Sequence, residues 1–229
     1  MSSENHYNHA AQQRPVQCMG LRSAHRQAKR KLIERAVSIA TGDISRCSIL
    51  DLACGRGGDL PKCVGCLQYT GIDTAELALH ELKRRAAELH MEVNVHHGDA
   101  AKYEDSCVFD VVMCNFAIHY FCDTLPHCQA LINTAAKQLK PNGVFCGTYE
   151  RTCAQNGWGQ AKHVVIGDCV DAIEWDVPWQ DIQHLAFRKG LALIFHKPLT
   201  FLHNDSDPSI WAFIMQKSSC GQGGMPSIQ

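Results

Sequence analysis

Four polar side chains recur at or near the ends of short apolar runs. They are Asp51 within SILDLA (48–53), Asp73 closing YTGID (69–73), Asp99 closing MEVNVHHGD (91–99) and Asn115 closing FDVVMCN (109–115). Gly55, Gly57 and Gly58 follow the first run in CGRGGD (54–59). Such glycines let a ligand come close to the backbone. Asp73 stands 18 residues after Gly55, where a carboxylate meets ribose hydroxyls in nucleotide-binding sheets. The turn is not a phosphate loop, because G-K-[ST] is absent and GRGGD lacks the G-x-G-x-x-G spacing. A carboxylate at Asp59 would also repel a pyrophosphate. The series suits a cationic nucleoside instead, with a ribose diol, adenine and a sulfonium carrying its amino acid. The expected ligand is S-adenosylmethionine.

Other reactive residue types form no comparable pattern. The thirteen cysteines are scattered and odd in number, and read as reduced thiols of an intracellular protein. Cys63 and Cys66 make a CxxC pair without the second pair that a structural zinc needs. The thirteen histidines lack the helical metal-binding spacing, so no metal is expected. Net charge is −1, yet residues 14–35 hold seven basic side chains (Arg14, Arg22, Arg26, Lys29, Arg30, Lys31, Arg35) against the single acid Glu34. That stretch is either a solvated helix face or a contact for a polyanion, since clustered cations displace counterions from phosphates.

The elements that must position these residues alternate along the chain. Apolar residues at helical spacing predict helices over 22–40, 75–89, 124–139 and about 178–189. Thr74 is expected to cap the second, and Lys140 to Gly143 to end the third. Strands are expected at 48–53, 69–73, 109–115, 144–149, 191–195 and 210–216, with a further strand and its turn over 91–99. Strands alternating with helices, mostly without period-two polarity, imply an α/β fold. We expect a doubly wound, mostly parallel seven-stranded sheet with an antiparallel edge pair at the end. Its ligands belong at the carboxyl ends of the strands, beside the first strand.

Five segments resemble the eukaryotic and viral mRNA cap guanine-N7 methyltransferases: DLACGRGGDLPK (51–62), YTGID (69–73), HGDA (97–100), FDVVMCNFAIHY (109–120) and LKPNGVFCGT (139–148). The narrower assignment rests on CGRGGDL and on NFAIHY, which is similar to that family's Gln-Phe-Ala-x-His-Tyr segment. The resemblance covers about residues 48–148, with thinner matches at AIEW (172–175) and SIWAFIMQK (209–217). It implies methyl transfer from S-adenosylmethionine to N7 of the guanosine cap of mRNA. It also implies that Lys29, Ala53, Asp73, Asp99, Asn115 and Tyr120 line the cofactor site. Asp51, Gly55, Thr74, Ala100 and Phe116 complete that expected set. Arg56, Lys62 and Arg85 would lie toward the cap triphosphate, and His25, His119, Tyr120, Glu174 and Trp211 would serve the substrate. No general base is expected, because guanine N7 already carries a free lone pair.

The sequence departs from the family in three places. Ala53 stands where glycine is usual, Asn115 replaces a longer glutamine, and the stretch 149–172 is short. The implied partners are capped RNA and other polypeptides: a guanylyltransferase, a triphosphatase or an activating subunit. Neither DNA nor a membrane is expected, since the longest strictly apolar run, Ile210 to Met215, is far below the roughly 20 residues of a bilayer span. No secretory signal is visible at the N-terminus. The expected organisation is a mobile polar segment 1–20, one domain over 21–217 and a polar tail 218–229. Two other readings use the same fold: a methyltransferase for another RNA base, small molecule or protein, and a non-catalytic RNA-binding subunit. The fourth run continues Asn115-Phe116-Ala117-Ile118 and not Asn-Pro-Pro-Tyr, which disfavours amide or adenine-amine targets.

Overall fold

The computed structural model describes residues 19–151, 157–166 and 170–219. Most of the expected terminal segments, 1–20 and 218–229, lies outside them. The chain opens with α1 (Met19–Ala40), where Ala24, Ala28, Leu32, Ile33, Ala36 and Val37 form one buried stripe. Then come β1 (Ser48–Leu52), β2 (Gln68–Asp73), α2 (Glu76–Glu88), β3 (Asn94–His97) and β4 (Phe109–Asn115). The second half contains α3 (Leu125–Gln138), β5 (Leu139–Glu150), β6 (Ala161–Ile166), β7 (Val170–Trp175), α4 (Trp179–Arg188), β8 (Leu191–Pro198) and β9 (Ile210–Lys217).

Seven strands form one sheet in the order β3-β2-β1-β4-β5-β9-β8. The first five are parallel, while β9 runs antiparallel to both β5 and β8. This is the expected architecture. Strand β1 is buried at every position, as a central strand covered on both faces must be. One core packs α1 and α2 against the sheet, through Leu32, Ile33, Leu79 and Leu82 among others. The other packs α3 and α4, through Leu131, Ile132, Ile182 and Ala186. The order reverses between β1 and β4, which opens a crevice above their carboxyl ends.

Three local expectations are corrected. Thr74 does not cap α2: Ala75 occupies that position, and Asp73 Oδ1 accepts from its N–H at 2.9 Å. The third strand is only four residues long, Asn94–His97, and Met91 N bonds back to Ala86 O at the end of the preceding helix. The hairpin β6–β7 was not expected at all; it forms a separate two-stranded sheet with Lys162 opposite Glu174. The signal was present as two β-rich runs around Gly-Asp-Cys. Among the described residues, no helix is long and apolar enough to cross a membrane.

Candidate functional site

A cavity of about 430 Å³ lies over the carboxyl ends of the central strands. All eleven expected cofactor residues line it: Lys29, Asp51, Ala53, Gly55, Asp73, Thr74, Asp99, Ala100, Asn115, Phe116 and Tyr120. Gly58, singled out with the glycine turn, is in the wall as well; sequence reasoning missed Cys54, Gly98, Ala117, Phe121 and His127. It also misread Asp59. That side chain is not a free carboxylate above the turn, because it is buried between Lys29 and Lys62, each 2.7 Å from Oδ1. Asn115 Nδ2 donates to its other oxygen at 3.0 Å. The negative charge once taken to repel phosphates is therefore neutralised from within.

The turn is built for close approach. Gly57 has φ of 68°, and a Cβ there would fall 2.6 Å from Leu60 Cδ1. Ala53 and Phe116 adopt φ of 58° and 54°, a left-handed region that costs L residues energy. Strained backbone of this kind concentrates at ligand sites. Ala53 thus holds the conformation for which glycine, usual in the resembled family, is the easier residue.

Asp73 is fixed by two backbone donors, Gly55 N at 2.7 Å and Ala75 N at 2.9 Å. Two carboxylate oxygens offer about four acceptor sites, so capacity remains for hydroxyl donors. Asp51 accepts from Tyr69 Oη at 2.7 Å. Burial, and then the Asp59 charge, push its carboxyl up to about 8. Asp59 behaves oppositely: burial would raise it, but the Lys29 and Lys62 ammonium groups prevail and hold it down at about 2. Of these two buried carboxyls, Asp59 has two cations in contact and Asp51 has none. A cationic ligand seated beside Asp51 would supply the missing charge, so the residues present fit a sulfonium nucleoside with an amino-acid end.

Beside the cavity, β7 lays Glu174 against the helical turn that holds His119 and Tyr120. Tyr120 Oη donates to Glu174 Oε1 at 3.4 Å, and His119 Nε2 is 3.5 Å from the same oxygen. Both His119 ring nitrogens are buried without a hydrogen-bond partner. Burial, helped by the Lys162 charge, pushes this imidazole down to about 3, so it is neutral at pH 7. Burial raises the Glu174 carboxyl, opposed by Lys162. Lys162 is itself ion-paired with Glu150.

The remaining expected substrate residues are placed less directly. His25 packs on Phe116 with ring centroids 5.5 Å apart. Trp211 belongs to an aromatic stack with His196, Trp179 and Tyr149, and the Arg151 guanidinium lies 4.2 Å from its ring centroid. Arg56 is half-buried in the glycine turn. Two of the side chains expected toward the triphosphate are held by partners within the protein. Lys62 does not point outward to a triphosphate, because its side chain is 4% exposed and donates to Gly58 O and Asp59. Arg85 sits in the last turn of α2, held by Glu81 at 2.8 Å. At 1.5 Å rise per residue that is roughly 13 Å from the helix end that faces the cavity. Among the described residues, no group of three or more His, Cys, Asp or Glu could hold a metal.

Comparison with known proteins agrees with this geometry. Residues 2–153 match the family model described as the mRNA (guanine-N(7))-methyltransferase domain. The chain is 36% identical over 224 residues to mRNA cap guanine-N(7) methyltransferase 1 of Oryza sativa subsp. japonica, covering 74% of this chain and 60% of that one. It is 33% identical over 116 residues to the mRNA cap guanine-N(7) methyltransferase of Schizosaccharomyces pombe, covering 44% and 31%. The alignments span between about a quarter and three fifths of these curated relatives' lengths. In fold it resembles magnesium protoporphyrin IX methyltransferase from Synechocystis PCC 6803, solved with bound SAM, at TM-score 0.67 and 14% identity over 95% of this chain and 92% of that one.

Proposed function

Because the chain belongs to the mRNA (guanine-N(7))-methyltransferase domain family, we propose that it transfers a methyl group from S-adenosylmethionine to N7 of the guanosine cap of RNA. The observation that carries this reading is Tyr120, which lines the cavity while its hydroxyl holds Glu174 outside it. One residue thus joins a nucleoside-sized cavity to a neutral histidine with two unused polar atoms. Buried polar atoms without partners are rare, and here they mark a place for a planar, polar ligand.

S-adenosylmethionine supplies the methyl group on a sulfonium centre. The chain's own residues bind and orient. Asp73 would accept from the ribose hydroxyls, Asp99 would sit beside the base, and Asp51 with Lys29 would meet the amino-acid end. Glu174 would accept from guanine N1–H and its exocyclic amine, a charge-assisted contact. A carboxylate on that edge also favours the positive charge that the base acquires on methylation. No proton needs to be removed from N7, so alignment of acceptor and donor accounts for the chemistry. That is consistent with His119 being held neutral. The nine described cysteines are free thiols, which suits a reducing, intracellular location.

The test is a labelled methyl-transfer assay on RNA ending in GpppG, in ApppG and without a cap, with nuclease digestion of the product. Label is expected at N7 of the terminal guanosine, on the GpppG-ended RNA alone. Equal labelling of all three RNAs would remove cap guanosine as the acceptor.

A further inference from the structure

His127 stands at the outer end of the cavity wall, and nothing in the sequence singles it out. It lies in the first turn of α3, where Thr124 Oγ1 accepts from its backbone N–H. Its Nδ1 is 2.7 Å from Asp123 Oδ1. Its Nε2 is 3.9 Å from Asp99 Oδ1, too far for a hydrogen bond. A carboxylate only accepts, so the bond to Asp123 places a ring proton on Nδ1, and the neutral imidazole then has its lone pair on Nε2. Asp99 is fixed as well, since its Oδ1 accepts from Ala101 N at 2.9 Å. Phe121 packs edge-on against the imidazole, with centroids 5.1 Å apart, and prevents it from turning freely. The cavity wall therefore holds two rigid acceptors, 3.9 Å apart, at one end.

Sheet order says what reaches that end. Asp73 closes β2 and Asp99 follows β3, the next strand outward. With the ribose on Asp73, the base falls against Gly98, Asp99 and Ala100. We propose that His127 is a specificity-determining residue for the cofactor's base: Nε2 and the Asp99 carboxylate together accept from the exocyclic amine of adenine. This rests on the S-adenosylmethionine reading above. An amine with two hydrogens satisfies two acceptors. A 6-oxo purine would bring a third acceptor and leave all of them unpaired, which a site built for hydrogen bonding rejects strongly.

The experiment measures dissociation constants for S-adenosylhomocysteine and S-inosylhomocysteine with the parent protein, His127→Phe and His127→Gln. The parent is expected to favour the adenosyl ligand. His127→Phe should reduce that preference about tenfold, the worth of one hydrogen bond. His127→Gln, whose amide oxygen also accepts, should retain most of it. A preference unchanged within about twofold in His127→Phe overturns the proposal, and so does equal loss in both variants, which would mean packing alone. In the unaltered protein, the ¹⁵N resonance of His127 Nε2 should shift when the adenosyl ligand binds. An unmoved resonance overturns the proposal even if neither variant folds. Failure of the parent to bind either ligand would instead overturn the cofactor reading, and this inference with it.

Discussion

Asp51 and Asp59 are buried within the same turn region, yet their carboxyls are pushed in opposite directions. The cause is the placement of cations. Lys29 and Lys62 both contact Asp59, whereas Asp51 has the Tyr69 hydroxyl in contact and feels Lys29 only at a distance, against the repulsion of Asp59 and Asp73. Burial without a counter-charge favours the neutral acid. In the free protein Asp51 therefore keeps its proton up to about pH 8. An adjacent ligand cation favours the ionised form, so binding of S-adenosylmethionine should release a proton below that pH and tighten as pH rises toward it. Calorimetry in buffers of different ionisation enthalpy reads the proton directly. Asp51→Asn should abolish both the release and the pH slope, and a slope that survives the substitution would assign the titration to another group. The stability sign is the reverse. A raised acid binds more protons folded than unfolded, so this group's contribution falls as pH rises from the ordinary carboxylate range toward 8.

In the function proposed above, the hairpin β6–β7 supplies the carboxylate for the second ligand. Its register sets Lys162 opposite Glu174, and Lys162 reaches Glu150 at the end of β5. That ion pair ties the hairpin to the sheet, while Tyr120 ties it to the cavity wall. Glu174→Gln keeps the shape but removes the charge. It should weaken a capped dinucleotide about tenfold or more, given the strength of charge-assisted hydrogen bonds. Affinity for S-adenosylhomocysteine should stay within about twofold in the same titrations. A parallel loss of both affinities would make Glu174 a support for Tyr120 and not a substrate contact.

Over the whole molecule, charge is nearly balanced but unevenly spread. Helix α1 points Lys29 into the cavity and turns Arg30 and Lys31 outward. Arg35 lies over the Phe195 ring, 4.9 Å from its centroid, so one further cation is held at the same surface. In the function proposed above, this outer face is offered to RNA phosphates. Each phosphate neutralised on a single strand contributes about 0.7 to the log–log salt slope. Replacing Arg30 and Lys31 with glutamine should therefore flatten the slope for RNA binding by up to about 1.4. An unchanged slope would make these side chains a solvated helix face.

The sequence alone determined the sheet, its edge pair and the eleven cavity residues. The sheet rests on apolar runs of strand length and part of the cavity on glycines and acids at strand ends, whereas Lys29, Ala53 and Tyr120 were implied by the family resemblance. The sequence could not show that Lys62 is spent on Asp59, that Arg85 is held by Glu81, or that Ala75 and not Thr74 takes the N-cap position. Nor could it assign the ring proton of His127 or join Glu174 to His119 across 55 residues. Each of these depends on which partner lies within about 3 to 4 Å of a polar atom. Only packing in three dimensions decides that, because charge neutralisation and desolvation act through space and not along the chain.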